Sequence, residues 1–349
     1  MSEPVKQNVL DVIESAGTWL KADDAIALAT VVDTWGSAPV PIGGQMLVGK
    51  DGKFLGSVSG GCVEAEIIAE SEDILAGGAR CKTLEYGIAD ETAWRVGLPC
   101  GGSIKVYLER IGNTGADASA VERMLQARAK REGLIVATSM QDGKRTITGD
   151  TEPVPAGPLA EHIQRAFGTG ESRMIETPDG KVFMHALLPA PRLVIVGATH
   201  IGQVLAELAG MVDLDVTIID PRTAFASQGR FPGKKLIADW PVAALQTMGL
   251  DRYTAVVALA HVANIDDEGL EAALQAPCFY IGALGSNRNQ SKRRERLLAK
   301  GFSAADIGRI SGPIGLDIGA VTPAEIAVSI IGEVVAARRT KRRRAAVAA

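Results

Sequence analysis

Thiols beside paired glycines are the first residues of this chain that could do chemistry. Cys62 follows Gly60 and Gly61 in GSVSGGCVEAEII, and Cys100 precedes Gly101 and Gly102 in LPCGGSIKVYLER. Glycine lets a ligand or another backbone approach closely, because no Cβ stands in the way. Ile67, Ile68, Ile74 and Leu75 predict a helix that begins near Gly61 or Cys62. A thiol in a first helical turn faces unpaired N–H groups and the positive end of the helix dipole, which favour thiolate. Glu64 opposes that locally, or else accepts a proton or holds a partner's donor. The alternative is that Cys62 simply fills space beside the glycines, since free cysteine is among the most buried residue types. Cys100 leads into a strand instead of a helix. Two such thiols point to soft-ligand chemistry, in which thiolates bind molybdenum, copper or zinc, or pass sulfur. Cys81 and Cys278 read as structural.

A second set of residues lies further along. RLVIVGATHIG, from Arg192 to Gly202, places Gly197 and Gly202 where the first and last glycines of a GxGxxG turn belong, with Thr199 between them. In a dinucleotide fold the middle glycine lets backbone reach the pyrophosphate; a threonine crowds that approach but still admits a single phosphate. Asp220 ends the next strand-like run, VTIID, where a ribose-binding acid would stand. His200 follows the first strand and His261 follows TAVVALA. Both therefore belong at carboxyl ends of parallel strands, where open α/β sheets bind ligands. The alternative for each is a helix cap or a packed loop residue. In GSNRNQSKRRERLLAKG, Ser286 and the free amides of a helix start can hold an anion. Most of the cations there belong to a solvated face, and Arg288, in the first turn, is the one expected to turn inward.

Two kinds of scaffold must position these residues. The first domain, expected over 1–190, opens with a helix to Leu20, then a strand over AIALATVVDTW and the loop GSAPVPIGG. Asp-Gly pairs at 51–52, 142–143 and 179–180 each sit between β-prone runs, which predicts three hairpins. Helical stretches fall at about 62–76, 117–131 and 158–167. This part is a mixed α+β domain. From LLPAPRLVIVG onward, strand and helix patterns alternate, and parallel strands need such crossovers. A Rossmann-like parallel α/β domain is expected over 191–340, so the fold class is α/β. Thr322 and Glu325 frame a capping box for a last helix with Pro323 in its first turn. The basic tail, 341–349, is expected to be disordered.

Composition narrows the function classes. With 349 residues, two domains are the natural division. A net charge of −4 gives no reason to expect nucleic acid. No run approaches the ~18 apolar residues of a membrane span, and MSEPVKQNVLDVIES lacks the apolar core of a secretion signal. The four cysteines form no CxxC pair, so neither a disulfide framework nor a zinc ribbon is indicated. A reduced, cytoplasmic protein is expected.

Taken together, GSAPVPIGGQMLV, GSVSGGCVEAEI, LPCGGSIKVYLE, LVIVGATHIGQ, VTIIDPR, YIGALGSNR and ISGPIGLDIGAVTPAEIAVSI are far more specific than any one of them. Over nearly the whole chain they resemble the XdhC/CoxI family of molybdenum-enzyme maturation factors. The resemblance implies an accessory factor, with no catalytic residues of its own. Such a factor binds the molybdenum cofactor, as molybdopterin or its cytosine dinucleotide form. It assists replacement of an oxo ligand by sulfide with a cysteine desulfurase, then delivers the cofactor to an apo molybdenum hydroxylase such as xanthine dehydrogenase. Cys62 and Cys100 become candidates to face the molybdenum or its sulfur. A homodimer is expected, with no membrane or nucleic-acid partner. Two other readings are an NAD(P)-dependent oxidoreductase using the second domain and a purely structural assembly partner.

Overall fold

β1 (Ala25–Trp35) is the centre of the first half of the molecule and is buried along most of its length. The computed structural model describes residues 9–36, 38–87 and 102–347, and the chain divides between Leu188 and Pro189 into two compact units. In the first unit, β1 lies inside a five-stranded antiparallel sheet. It pairs with β2 (Gln45–Val48) on one edge and β5 (Ser103–Gly112) on the other. β3 (Phe54–Gly56) and β4 (Cys81–Gly87) complete the sheet.

The apolar run of β1 follows from burial on both faces. On one face Ala27, Ala29 and Val31 pack with Ile67 and Ile74 of α2 (Glu64–Leu75). On the other, Ile26 and Leu28 meet Val12 and Ala16 of α1 (Val9–Ala22) and Val121 of α3 (Gly115–Ala129). Ile67 and Ile74 are fully buried, and each such side chain contributes roughly 1.5–3 kcal/mol. A second, four-stranded antiparallel sheet contains β6 (Leu134–Ser139), β7 (Arg145–Gly149), β8 (Arg173–Thr177) and β9 (Gly180–Leu187). Ile163 and Ala166 of α4 (Ala160–Thr169) cover it.

All three Asp-Gly hairpins form, between β2 and β3, β6 and β7, and β8 and β9. At the first, Asp51 and Gly52 both take left-handed angles (φ 63° and 68°), the conformation that selects this pair.

The second unit holds a six-stranded sheet. Five of its pairings join β12 (Lys235–Ile237), β11 (Asp215–Ile219), β10 (Arg192–Val196), β13 (Thr254–Ala258), β14 (Tyr280–Ala283) and β15 (Ile310–Ser311), in that order and all parallel. One face carries α5 (His200–Met211), through Leu205 and Ala209, and α10 (Pro323–Val347), through Ala327, Ile330 and Val334. The other carries α6 (Pro241–Met248), α7 (Ala263–Leu274), α8 (Asn287–Ala299) and the short α9 (Ala304–Ile307). The chain winds outward from β10 in both directions, which makes the β10–β13 boundary the topological switch point of a Rossmann-like domain.

The capping box at α10 is present: Glu325 accepts from Thr322 N and its own N–H donates to Thr322 Oγ1. The basic stretch expected to be disordered from 341 is instead helical to Val347. Alanine, arginine and lysine are strong helix formers, and extending a helix already nucleated on the core costs little.

Candidate functional site

The Gly-Gly-Cys element of the first unit is built around a carboxylate. Glu64, the first residue of α2, is buried and accepts from six donors: Ser57 Oγ, Val58 N, Ser59 N, Ser59 Oγ, Gly61 N and Val63 N. Burial alone would raise its pKa, but the bonds from Ser57 and Ser59 outweigh that and hold it down at about 2. Gly60 and Gly61 take φ values of 84° and 120°, which let the loop curl round the carboxylate. Ser59 Oγ in turn accepts from Cys62 N and Val63 N.

Cys62 sits on this loop and is exposed. The space-filling alternative for this residue is therefore set aside. The helix also starts later than its pattern predicts, at Glu64, because the two glycines are spent on the turn. The N–H groups expected to face the thiol bond to Glu64 and Ser59 instead. Gly102 is half-buried just before β5, while Cys100 and Gly101 lie outside the described residues.

At the switch point of the second unit, Gly197 has φ 109° and a Cβ there would come within 2.3 Å of Ala260 N. Gly202 is tight for a different reason, since its Cβ would stand 3.1 Å from Gly197 O. Thr199 caps α5, accepting from Gly202 N. His200 and His261 are exposed and follow neighbouring strands, β10 and β13. His200 Nδ1 lies 3.4 Å from Gln203 Oε1, and His261 holds a left-handed backbone (φ 58°).

Asp220 is fully buried and satisfied by protein. Its Oδ1 accepts from Arg222 N and Nε, its Oδ2 from Ala198 N (2.8 Å) and Arg222 Nη2 (2.7 Å). Four donors fill the acceptor capacity of a carboxylate. In this structure Asp220 ties the turn after β10 to the end of β11.

Residues 193–334 match the model of the XdhC Rossmann domain, and residues 19–87 match that of the XdhC and CoxI family, together more than half of the chain. The chain belongs to the XdhC and CoxI family. It is 29% identical, over 92% of this chain and 95% of the other, to a probable xanthine dehydrogenase subunit of Bacillus subtilis (strain 168). It is 28% identical, over 91% and 85%, to the molybdenum cofactor insertion chaperone PaoD of Escherichia coli (strain K12). A crystal structure described as a xanthine dehydrogenase from Bacillus halodurans covers 94% of this chain and 96% of its own, with TM-score 0.59 and 24% identity, a likeness of fold.

In this XdhC-family chain the start of α8 differs from expectation in which cation turns inward. Ser286 caps α8 by accepting from Asn289 N, and Arg288 is exposed. The inward cation is Arg293, which bonds Gln290 Oε1 (2.6 Å) and Leu284 O and faces Asp266 and Asp267. Helical spacing explains the exchange: Gln290, Arg293 and Leu297 share the face turned to the sheet, and Arg288 lies well off it. Two features are not legible in the sequence: the set of donors around Glu64 and the inward turn of Arg293. Glu64 carried a signal, an acid just past a Ser-rich Gly-Gly turn, but four of its six donors are backbone N–H groups. Arg293 carried one in its spacing from Leu297. Among the described residues, no three His, Cys, Asp or Glu side chains gather as a metal-ligand cluster, and no helix is long and apolar enough to cross a membrane.

Proposed function

We propose that this protein is a carrier of the molybdenum cofactor, taken as cargo and handed to an apo molybdenum hydroxylase of the xanthine dehydrogenase type. The observation that carries the reading is the exposed Cys62 on a loop fixed by the buried Glu64 carboxylate. A thiol held this way offers a soft ligand at a set position, with little ordering left to occur on binding. One protein ligand also suits a cargo that must leave again, since the rest of the metal's coordination stays with the cofactor. The name of the PaoD relative supports insertion, and that of the Bacillus subtilis relative supports the client class.

The finer reading is that Cys62, with Cys100, faces the molybdenum or its sulfur while an oxo ligand is exchanged for sulfide supplied by a cysteine desulfurase. The cargo is molybdopterin or its cytosine dinucleotide form, the working species is a homodimer, and the protein acts without turnover chemistry of its own. Gly197, His200, Gly202, His261, Ser286 and Arg288 are assigned to a phosphate seat at the sheet end of the second unit. An NAD(P) enzyme fits less well, because Thr199 crowds the pyrophosphate approach and Asp220 is taken up by Arg222 and Ala198.

The test is to purify the protein from molybdenum-replete cells and measure bound molybdenum and pterin in wild type, Cys62→Ser and Cys100→Ser. Retention by wild type with loss in Cys62→Ser is the expected result. Equal retention in both variants would remove the thiols from the site, and no retention by wild type would remove the carrier reading. Tight NAD(P)H binding with hydride transfer would put an oxidoreductase in its place.

A further inference from the structure

The last helix, α10, is apolar on more sides than its own packing uses. From Pro323 to Ala337 its only charged residues are Glu325 and Glu333. Ala327, Ile330, Ile331 and Val334 form its inner stripe, against the sheet. Glu333 is turned back into its own unit, where it accepts from Tyr280 Oη, Ser311 Oγ and Gly315 N. The outer face is left, and Val328 on it is 49% exposed. A helix apolar on every side is normally covered on every side.

The outer stripe has a spacing of its own. Glu325, Val328, Gly332, Val335 and Arg339 follow one another at alternating steps of three and four, the seam along which two helices pair. Glu325, Val328 and Arg339 are exposed, and Gly332 and Val335 are half-buried. Beside the helix the patch widens, because the preceding loop exposes Leu316, Ile318 and Val321 (46%, 55% and 82%). Leu316 leans over α10: a Cβ at Gly332 would stand 3.1 Å from its Cδ1. The loop is fixed from below by Gly315 N on Glu333 and by Leu316 N on Ser329 O. Its apolar side chains are thus held out to solvent on a settled backbone, so little ordering is left to occur on binding. Contiguous apolar surface of this kind marks an interaction site.

The order of residues along the seam says what covers it. Glu325 lies seven residues before Gly332 and Arg339 seven after it, while Val328 and Ala336 each lie four away. A second α10 crossing antiparallel at Gly332 sets Glu325 of each chain against Arg339 of the other, and Val328 against Ala336. In a two-fold interface every such contact occurs twice. A parallel copy would oppose like charges instead.

We propose that the outer face of α10, with Leu316 beside it, is the seam of a two-fold dimer in which two copies of this helix pair antiparallel about Gly332. This rests on the homodimer reading above and names its interface.

The experiment is sedimentation velocity of the full-length protein over a concentration series, for wild type, Val328→Asp and Arg339→Glu. Both residues are exposed, so their replacement leaves the core intact, and melting curves check this. The expected result is a wild-type dimer whose dissociation constant rises about 100-fold in Val328→Asp. In Arg339→Glu it should rise about tenfold, since two acids then meet at each end of the seam. A further variant, Val328→Cys/Ala336→Cys, is oxidised with glutathione disulfide and mapped by mass spectrometry. A link between positions 328 and 336 of different chains is expected. A 328–328 link, or equal affinity in Arg339→Glu, would overturn the antiparallel pairing. A dimer indifferent to Val328→Asp overturns the seam and leaves the homodimer reading standing. Wild type that stays monomeric at about 100 μM overturns both and gives this face to the client enzyme.

Discussion

Replacing Glu64 with glutamine keeps the size of the side chain and removes half of its acceptor capacity. Its Oε2 serves Ser59 Oγ, Gly61 N and Val63 N, and its Oε1 serves Ser57, Val58 N and Ser59 N. An amide offers one oxygen, and its NH2 would point at backbone donors that cannot turn away. The shift from 4.5 to about 2 measures the same dependence on charge and corresponds to about 3 kcal/mol. Because the folded value is depressed, this stabilisation is complete above about pH 4.5 and is lost as pH falls toward 2. The assay is amide hydrogen exchange at Ser59, Gly61 and Val63, which reports opening of this loop without requiring the whole chain to unfold. At neutral pH, Glu64→Gln should speed exchange there about 100-fold. Wild type should lose the same protection on acidification, and the variant should show no such acid step. Exchange within threefold of wild type in Glu64→Gln would refute the account of the loop.

Three further outcomes follow from other sites. Native-state alkylation should label Cys62 and spare Cys278, which is buried and pushed up to about 11 by that burial; mass spectrometry before and after denaturation checks this. Gly197→Ala should destabilise the second unit by about 2 kcal/mol or more, read as a lower melting temperature, since the new Cβ would meet Ala260 backbone at a φ of 109°. His185 is held neutral by burial, with a folded value near 4 against 6.5, so the first unit should lose about 3 kcal/mol as pH falls through that window. His185→Gln should remove this slope, as followed by melting curves between pH 7 and 4.

Local chemistry explains most of what was legible before the structure. The Asp-Gly hairpins, the Thr322–Glu325 capping box and the alternation that makes the parallel sheet all depend on residues a few positions apart. The helix of GSNRNQSKRRERLLAKG is legible too, but its inward cation is not, because proximity to the helix start favours Arg288 while the spacing from Leu297 aligns Arg293 with the buried face. For Cys62 the sequence left burial and exposure even; the outcome turned on Glu64, four of whose six donors are backbone amides that every residue carries. The approach of Gly43 to His185, where a Cβ would stand 3.1 Å from Nε2, was beyond reach, since the two stand some 140 positions apart and no spacing rule joins them.

The Asp220–Arg222 pair has a consequence for any change of ligand. Truncating Arg222 alone would strand a fully buried carboxylate, at a cost of about 3–5 kcal/mol. Truncating Asp220 alone would release Arg222 but also take away the acid a ribose would need, along with the acceptor of Ala198 N. Neither single step leads toward a dinucleotide seat. The two positions are energetically coupled, so a dinucleotide seat at this sheet end requires coordinated changes at both.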